Sequence, residues 1–196
     1  MLFSYLTLCK QVHMLSRLVM LRNVYNAYLK ILNKKSPPLI MSSSFVSRDS
    51  FIGNYTYIGA GCYITKSHIG RYSSIANYVS IGPGEHDYNE ISTSSLFYSD
   101  AYEQLTKDMC VVGHDVWIGV SSIVRRGITI GNGAVIGANS FVNQDIPDFA
   151  IAAGSPAKVI KYRFTPEEIE KINYSRWWDF DIEEASKIIK TLKKSF

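Results

Sequence analysis

Aliphatic side chains recur at every sixth position between residues 112 and 142. These positions are Val112, Ile118, Val124, Ile130, Ile136 and Val142. The next residue is often glycine, and the residue four places on is mostly small. A period of six fits neither an α-helix with 3.6 residues per turn nor a strand that alternates every two residues. It fits a chain that forms a short strand, turns and begins again, with its aliphatic side chains stacked inside a prism. The pattern predicts a parallel β-solenoid.

A second block with the same step lies earlier in the chain. Its aliphatic positions are Val46, Ile52, Ile58 and Ile64 and then, after the loss of one residue, Ile69, Ile75 and Ile81. With three sides per turn, one coil takes about eighteen residues, so the two blocks together predict about five coils. The loop 83–110 between the blocks follows no repeat and is rich in polar and aromatic residues. Long irregular excursions of this kind run over the surface and tend to carry function.

Residues 2–32 contain no glycine or proline and many good helix formers, which predicts an N-terminal helix that ends in a linker at 33–38. Charged and polar residues interrupt the apolar run, which disfavours a transmembrane span and a cleaved signal peptide. Two interpretations remain open. One is a basic amphipathic helix in peripheral contact with an anionic membrane, and the other is a helix packed on its own solenoid or a neighbouring subunit. The second is favoured because apolar residues occur on more than one helical face.

The C-terminal part has its own helix signals. Thr165 and Glu168 form a capping box, and Asp181 is placed to cap a last helix. Trp177 and Trp178 would seat these helices on the open end of the prism. The predicted organisation is therefore an all-β solenoid with two helical appendages. Its parts are an N-terminal helical extension and linker at 1–40, a β-helix with its excursion loop at 41–162, and C-terminal helices at 163–196.

Composition narrows the class of protein. Hydrophobic residues make up 46% of the 196 residues, which is ample for a folded core. The three cysteines are far apart and form no C-x-x-C pair, which argues for a reducing compartment and predicts a cytoplasmic protein. The net charge is +4, but all of that excess lies in the first 48 residues, which hold seven cations and no acid. This distribution argues against a nucleic-acid-binding surface and leaves membrane association through the N-terminal helix open.

Four segments carry a family resemblance. GHDVWIG at 113–119, IGANS at 136–140, AGSPAKVI at 153–160 and RWWDF at 176–180 are similar to the hexapeptide-repeat acyltransferases. Within that family they most resemble the branch that holds the chloramphenicol and streptogramin acetyltransferases and the O-acetyltransferases of surface polysaccharides. The resemblance covers roughly residues 45–185. It implies a left-handed parallel β-helix, a homotrimer, and acetyl-coenzyme A bound in clefts between subunits.

The resemblance also assigns residues. The family's catalytic histidine corresponds to His86, in the loop that leaves the first block. Contacts with acetyl-coenzyme A are expected at Val120, Ala138, Asn143, Gln144, Lys158 and Lys161. Contacts with the acceptor are expected from Glu85, Asp87 and Tyr88. No metal is expected.

The chemistry of acetyl transfer explains why a histidine is needed. A thioester passes its acetyl group to an alcohol only if a base takes the hydroxyl proton, and neutral imidazole suits that task near pH 7. Direct transfer without an acyl-enzyme intermediate is expected, because no cysteine matches a nucleophile motif. Glu85, Asp87, Glu90 or a backbone carbonyl could orient the second ring nitrogen of His86, and the sequence does not decide between them. The predicted function is O-acetylation of a saccharide hydroxyl in surface-glycan assembly.

Other functions remain open at this stage. The same scaffold could acetylate an antibiotic, or the amine of an amino-sugar. A zinc enzyme of the γ-carbonic anhydrase type would need stacked histidines, and His68 and His86 are one coil apart in sequence. A non-catalytic scaffold would use the solenoid only as a binding surface. The transferase is favoured because neither rival explains the VWIG and GSPAK segments.

Overall fold

The computed structural model of the chain describes residues 36–196, and the predicted N-terminal helix lies outside the described residues. Short strands form three sheets that are the sides of a prism. Sheet A contains β1 (Leu39–Ile40), β4 (Tyr57–Ile58), β7 (Ser74–Ile75), β10 (Trp117–Ile118), β13 (Val135–Ile136), β15 (Ala150–Gly154) and β16 (Ala157–Tyr162). Sheet B contains β2 (Phe45–Val46), β5 (Tyr63–Ile64), β8 (Ser80–Ile81), β11 (Ile123–Val124) and β14 (Phe141–Val142). Sheet C contains β3 (Phe51–Ile52), β6 (Ser67–Ile69), β9 (Cys110–Val112) and β12 (Thr129–Ile130).

Successive coils stack in register through parallel pairing. In sheet A, Ile58, Ile75, Ile118 and Ile136 follow one another as direct partners, and each is fully buried. The chain completes five coils, and β15 begins a sixth. These stacked side chains form the core predicted from the six-residue period, and the fold is confirmed as a left-handed parallel β-helix.

Each of the three long edges of the prism joins two sheets and takes its name from them. The A/B edge carries the turns after the sheet A strands, at Gly59, Ala76, Gly119 and Gly137. The B/C edge carries the turns after the sheet B strands, at Ser47, Thr65, Gly82, Arg125 and Asn143. The C/A edge carries the turns after the sheet C strands, at Gly53, Gly70, Gly113 and Gly131.

Glycine is needed on the C/A edge because successive coils approach closely there. A Cβ added to Gly70 would lie 2.6 Å from the Gly113 carbonyl oxygen and 2.7 Å from its carbonyl carbon. Left-handed backbone falls instead on a turn residue such as Tyr72, whose φ is 62°. Glycine is therefore needed at position 70 because the neighbouring coil approaches closely, and not because the backbone there is left-handed.

The excursion loop leaves the prism at the B/C edge after β8 and returns through β9. It contains a 3₁₀ turn at Ser95–Phe97 and helix α1 at Ala101–Leu105. Its second half is fixed to the prism by two side-chain pairs. The Tyr102 hydroxyl donates to the carboxylate of Asp49 at 2.9 Å, and Lys66 pairs with Glu103 at 2.7 Å. Helix α1 is therefore anchored to the prism, and it supports the part of the loop that precedes it.

The C-terminal tail packs along the C/A edge. It consists of the β15–β16 hairpin, α2 (Pro166–Ser175), a 3₁₀ turn (Trp177–Asp179) and α3 (Ile182–Lys193). Trp177 packs on Tyr72 and Trp178 stacks on His114, two C/A-edge residues from different coils. The helices were expected to sit on the open end of the prism, but these contacts run lengthwise along one edge. The tail covers the C/A edge.

The two predicted helix starts differ in the structure. Thr165 accepts from the Glu168 N–H while the Glu168 carboxylate accepts from the Thr165 N–H, so the capping box is confirmed. Asp181 is the N-cap of α3, but its side chain makes no capping hydrogen bond. Its carboxylate instead accepts from the Tyr55 hydroxyl at 3.1 Å and lies 3.8 Å from the Arg71 guanidinium. Tertiary partners have replaced the local cap.

Within residues 36–196, no helix has the length and apolar character to cross a membrane.

Candidate active site

His86 is held by the backbone of its own loop. It is exposed near the start of the excursion, and its Nδ1 lies 2.5 Å from the carbonyl oxygen of Thr93. A carbonyl oxygen can only accept, so Nδ1 carries the proton in this hydrogen bond, and in the neutral ring Nε2 is then the nitrogen with the lone pair. The ring also packs near Tyr98, with 6.2 Å between ring centroids. The contact selects the tautomer in which Nε2 faces away from the Thr93 carbonyl and can act as a base.

The residues expected to contact the acceptor have different environments. Glu85 is engaged by Arg125 through two hydrogen bonds of 2.8 and 2.9 Å. The carboxylate of Asp87 accepts from the backbone and side-chain N–H groups of Asn89, at 2.9 and 3.1 Å. Tyr88 is 83% exposed. Of the three, Tyr88 has the side chain most available to another molecule.

Val120 and Ala138 lie together on the A/B edge. The Asn139 N–H donates to the Val120 carbonyl at 2.9 Å, so the two turns are stacked one coil apart and both residues are exposed. Lys158 pairs with Ala153 in the β15–β16 hairpin and extends the same edge. Three of the residues predicted to bind the cofactor therefore form one line.

Lys161 lies on the outer face of sheet A. It pairs with Ile151, which follows Val135 and Trp117 in the register of that sheet. Lys161 is exposed and lies on the same strand, β16, as Lys158. A cation here can meet a phosphate as a mobile point charge.

Asn143 and Gln144 lie on the B/C edge, one coil beyond Arg125. The Arg125 N–H donates to the Val142 carbonyl at 2.9 Å, which places the two turns in contact. The Oδ1 atom of Asn143 is buried and has no hydrogen-bond partner among the described residues. Leaving a buried amide oxygen unpaired costs about 1–3 kcal/mol, so this atom is suited to receive a donor from a bound molecule.

One copy of the chain does not bring all these residues together. His86, Asn143 and Gln144 belong to the B/C edge, whereas Val120, Ala138 and Lys158 belong to the A/B edge. Sheet B separates the two groups. The predicted residues define two half-sites on the same molecule.

The histidines do not stack as a zinc site would require. His68 is on β6 and pairs with Val111 of β9 in the next coil, while His86 lies out on the loop. The third described histidine, His114, stacks on Trp178 and accepts from the Arg71 N–H at 2.9 Å, and burial lowers the pKa of its imidazole. No cluster of three or more metal-ligating side chains is found in residues 36–196.

Two partners of the loop were not predicted. Thr93 supplies the carbonyl that orients His86, and nothing in the pattern around it marks this role. Arg125 binds Glu85, and here a signal exists: Arg125 takes the position that is glycine at 113, 119, 131 and 137. A charged side chain in that register has to leave the prism, which points it toward the emerging loop.

Comparison with known proteins places the chain in a family. The model of the bacterial transferase hexapeptide, with six repeats, matches residues 109–144. A probable macrolide acetyltransferase of Lysinibacillus sphaericus is 36% identical over 135 residues, which are 68% of this chain and 74% of that protein. The chain belongs to the bacterial hexapeptide-repeat transferase family.

Other relatives are similar over a smaller share of their length. A chloramphenicol acetyltransferase of Klebsiella aerogenes is 40% identical over 61% of this chain and 62% of its own. A putative lipopolysaccharide biosynthesis O-acetyltransferase of Escherichia coli K12 is 36% identical over 60% of this chain and 59% of its own. The chain thus spans less than two thirds of the length of several chloramphenicol acetyltransferases that it matches, with shares from 60% to 66%.

Solved structures share the fold. A hexapeptide-repeat acetyltransferase of Vibrio cholerae superposes with a TM-score of 0.54 at 22% identity, over 71% of this chain and 79% of that one. A maltose O-acetyltransferase of Clostridium difficile 630 superposes with a TM-score of 0.52 at 27% identity, over 65% of this chain and 67% of that one. Both likenesses extend beyond the 36 residues that the family model covers.

Proposed function

We propose that this protein is an acetyl-coenzyme A-dependent O-acetyltransferase that acts on a saccharide hydroxyl, with His86 as general base. The observation that carries the proposal is the hydrogen bond from His86 Nδ1 to the Thr93 carbonyl. It fixes the ring on an exposed loop, and in the neutral imidazole it makes Nε2 the nitrogen that can accept a proton. A base for a hydroxyl group needs both features.

In the proposed reaction, Nε2 of His86 accepts the proton of the acceptor hydroxyl as the hydroxyl oxygen bonds to the thioester carbonyl carbon. The carbonyl electrons move onto oxygen and form a tetrahedral intermediate. The intermediate collapses, the carbon–sulfur bond breaks, and the departing thiolate takes the proton back from Nε2. The Thr93 carbonyl stabilises the imidazolium between these steps, because its hydrogen bond to Nδ1–H becomes charge-assisted.

The residues present fit coenzyme A as a substrate. The buried Oδ1 of Asn143 is an acceptor suited to an amide N–H, and the pantetheine arm of coenzyme A carries two such groups. Lys158 and Lys161 are exposed cations suited to its phosphates. Val120 and Ala138 are exposed on the A/B edge, in line with Lys158.

We further propose that the active form is a homotrimer, in which the B/C edge of one copy meets the A/B edge of the next. The support is that sheet B separates the two half-sites within one copy. The outer face of sheet B is also apolar and exposed at Phe45, Tyr63 and Ile123. Burying such a face against another copy is favourable.

The excursion loop and the relatives support a choice between two classes of acceptor. Exposed aromatic and aliphatic side chains at Tyr88, Ile91 and Phe97 suit stacking against a sugar ring. The same side chains suit an apolar antibiotic. Hydroxyl groups of chloramphenicol or a macrolide are therefore the second candidate, favoured by the names of the relatives with 36% and 40% identity.

The test is release of free thiol from acetyl-coenzyme A with sugar, amino-sugar and antibiotic acceptors, using wild type and His86→Ala. We expect acceptor-dependent release that falls by about 10²- to 10⁴-fold in the variant. Circular dichroism and size-exclusion chromatography check that the variant keeps its fold and assembly. The acceptor that supports release identifies the class. Absence of both release and coenzyme A binding in wild type would rule out the transferase and favour a scaffold role.

A further inference from the structure

Two consecutive arginines connect the prism to the excursion loop. Arg125 and Arg126 follow β11 on the B/C edge, one coil beyond Gly82, where the loop departs. Their side chains go to different parts of the loop. Arg126 is buried in the edge with 8% exposure, while the Arg125 side chain is 49% exposed.

Arg126 joins the two ends of the loop. One guanidinium nitrogen donates to the Asp108 carbonyl at 3.1 Å, just before the chain returns to the prism. The other donates to the carbonyl of Gly82, where the chain leaves, and to Thr65 Oγ1 at 2.7 Å. The base of the loop is thus fixed to a single buried cation.

Arg125 acts closer to His86. Its Nε and one terminal nitrogen donate in parallel to the two carboxylate oxygens of Glu85, at 2.8 and 2.9 Å. The Glu85 N–H also donates to the Leu105 carbonyl at 2.9 Å. Glu85 is therefore held from both its side chain and its backbone, and it directly precedes His86 in the chain.

We propose that Arg125 is a positioning residue for His86 that acts through Glu85, and this rests on the proposed function. The fork of two parallel bonds fixes the orientation of Glu85 as well as its distance from the prism. An exposed ion pair contributes little to folding stability. A general base, in contrast, loses much of its effect when it is displaced by about 1 Å. The pair therefore matters for the placement of the imidazole more than for the fold.

The experiment measures kcat and KM for acetyl-coenzyme A and acceptor in wild type, Arg125→Ala, Arg125→Lys and the charge-swapped pair Glu85→Arg with Arg125→Glu. Loss of the fork is expected to lower kcat by about 10- to 100-fold with little change in either KM. Lysine should restore little, because it cannot make two parallel bonds, and the swapped pair should restore more. Lys187→Ala is the matched control, since it breaks the exposed Lys187–Glu184 pair on α3 and should leave kcat unchanged.

The Arg125→Ala substitution in a protein that already carries His86→Ala shows whether Arg125 acts through His86. In a His86→Ala protein, adding Arg125→Ala should reduce kcat no further, because the group that it positions is gone. A further loss there would overturn the proposal. So would an unchanged kcat in Arg125→Ala, or a raised KM for acetyl-coenzyme A at constant kcat, which would make Arg125 a donor-binding residue.

An activity-independent measurement separates this proposal from the proposed function. The ¹⁵N resonances of the His86 ring, assigned by their loss in His86→Ala, report which nitrogen carries the proton. Arg125→Ala is expected to shift wild-type His86 away from the Nδ1–H tautomer. If wild type transfers no acetyl group but this shift occurs, the proposed function fails and the positioning role stands. If the tautomer is unchanged, the positioning role fails.

Discussion

Replacing Gly70 with alanine tests the close stacking of coils on the C/A edge. An ideal Cβ would lie 2.6 Å from the Gly113 carbonyl oxygen, 2.7 Å from the Gly113 carbonyl carbon and 2.8 Å from the His114 nitrogen. All three are backbone atoms, so no side-chain rotation can relieve the overlap. The two coils are also held by the hydrogen bond from the Gly70 N–H to the Val112 carbonyl at 2.8 Å.

The cost follows from the movement that the methyl group requires. Overpacking of this kind costs about 1–3 kcal/mol. Replacing glycine with alanine also stabilises the folded state by about 0.4–1 kcal/mol, because it reduces the conformational entropy of the unfolded chain. We therefore expect Gly70→Ala to lower the free energy of unfolding by about 1–2 kcal/mol and Tm by about 2–8 °C.

Thermal and urea unfolding, followed by circular dichroism, measure the effect. Gly84→Ala is the control, because its nearest neighbour, Leu105 Cβ, is farther away at 3.3 Å, and its stability should stay within about 1 kcal/mol of wild type. Equal or higher stability of Gly70→Ala, with the control unchanged, would refute close approach as the reason for glycine on this edge.

Three further predictions concern the tail, one buried histidine and the donor site. Thr165→Ala removes half of the capping box and should lower the free energy of unfolding by about 0.5–2 kcal/mol in urea titrations, without affecting thiol release. Burial lowers the pKa of His114 from 6.5, so the unfolded state binds more protons than the folded state in the window below 6.5. Stability should therefore fall as the pH drops from 6.5 through the folded pKa, and His114→Asn should flatten that slope. Lys158→Ala should raise KM for acetyl-coenzyme A roughly two- to five-fold, while Lys190→Ala on α3 leaves it unchanged.

Much of the fold could be predicted from the sequence, because each six-residue repeat corresponds to one side of the prism. The aliphatic residues of the repeat point inward: those from Ile58 to Val142 are fully buried, whereas Val46 and Ile52 at the first coil are partly buried. The structure adds an earlier strand, β1, whose Ile40 precedes Val46 by six and continues the same step. The two prolines just before β1 favoured a linker there, and the pairing of Ile40 with Ile58 outweighs that local signal.

The position of the C-terminal tail was less predictable. Caps and buried tryptophans specify that helices form and which face they bury, but they carry no information about which surface receives that face. The choice of the C/A edge depends on individual contacts such as His114 on Trp178 and Arg71 donating to the Asp179 carbonyl at 2.7 Å. The contacts of Asp181 could not be predicted for the same reason: Tyr55 and Arg71 are distant in sequence, and they engage its carboxylate in place of the local cap.

The candidate site, like the fold, could be predicted only in part from the sequence. The loop that carries His86 could be located because it interrupts a strict repeat, and the family resemblance assigned the residue. The Thr93 carbonyl could not be found, because any backbone carbonyl within reach is chemically equivalent in a sequence. The helix-covered C/A edge leaves the other two edges for ligands, and the assigned residues occupy both. A periodic prism places residues eighteen apart on one edge but gives no sign of how one copy meets another. In the proposed trimer, the half-site around His86 and the line through Val120, Ala138 and Lys158 complete each other only across that contact.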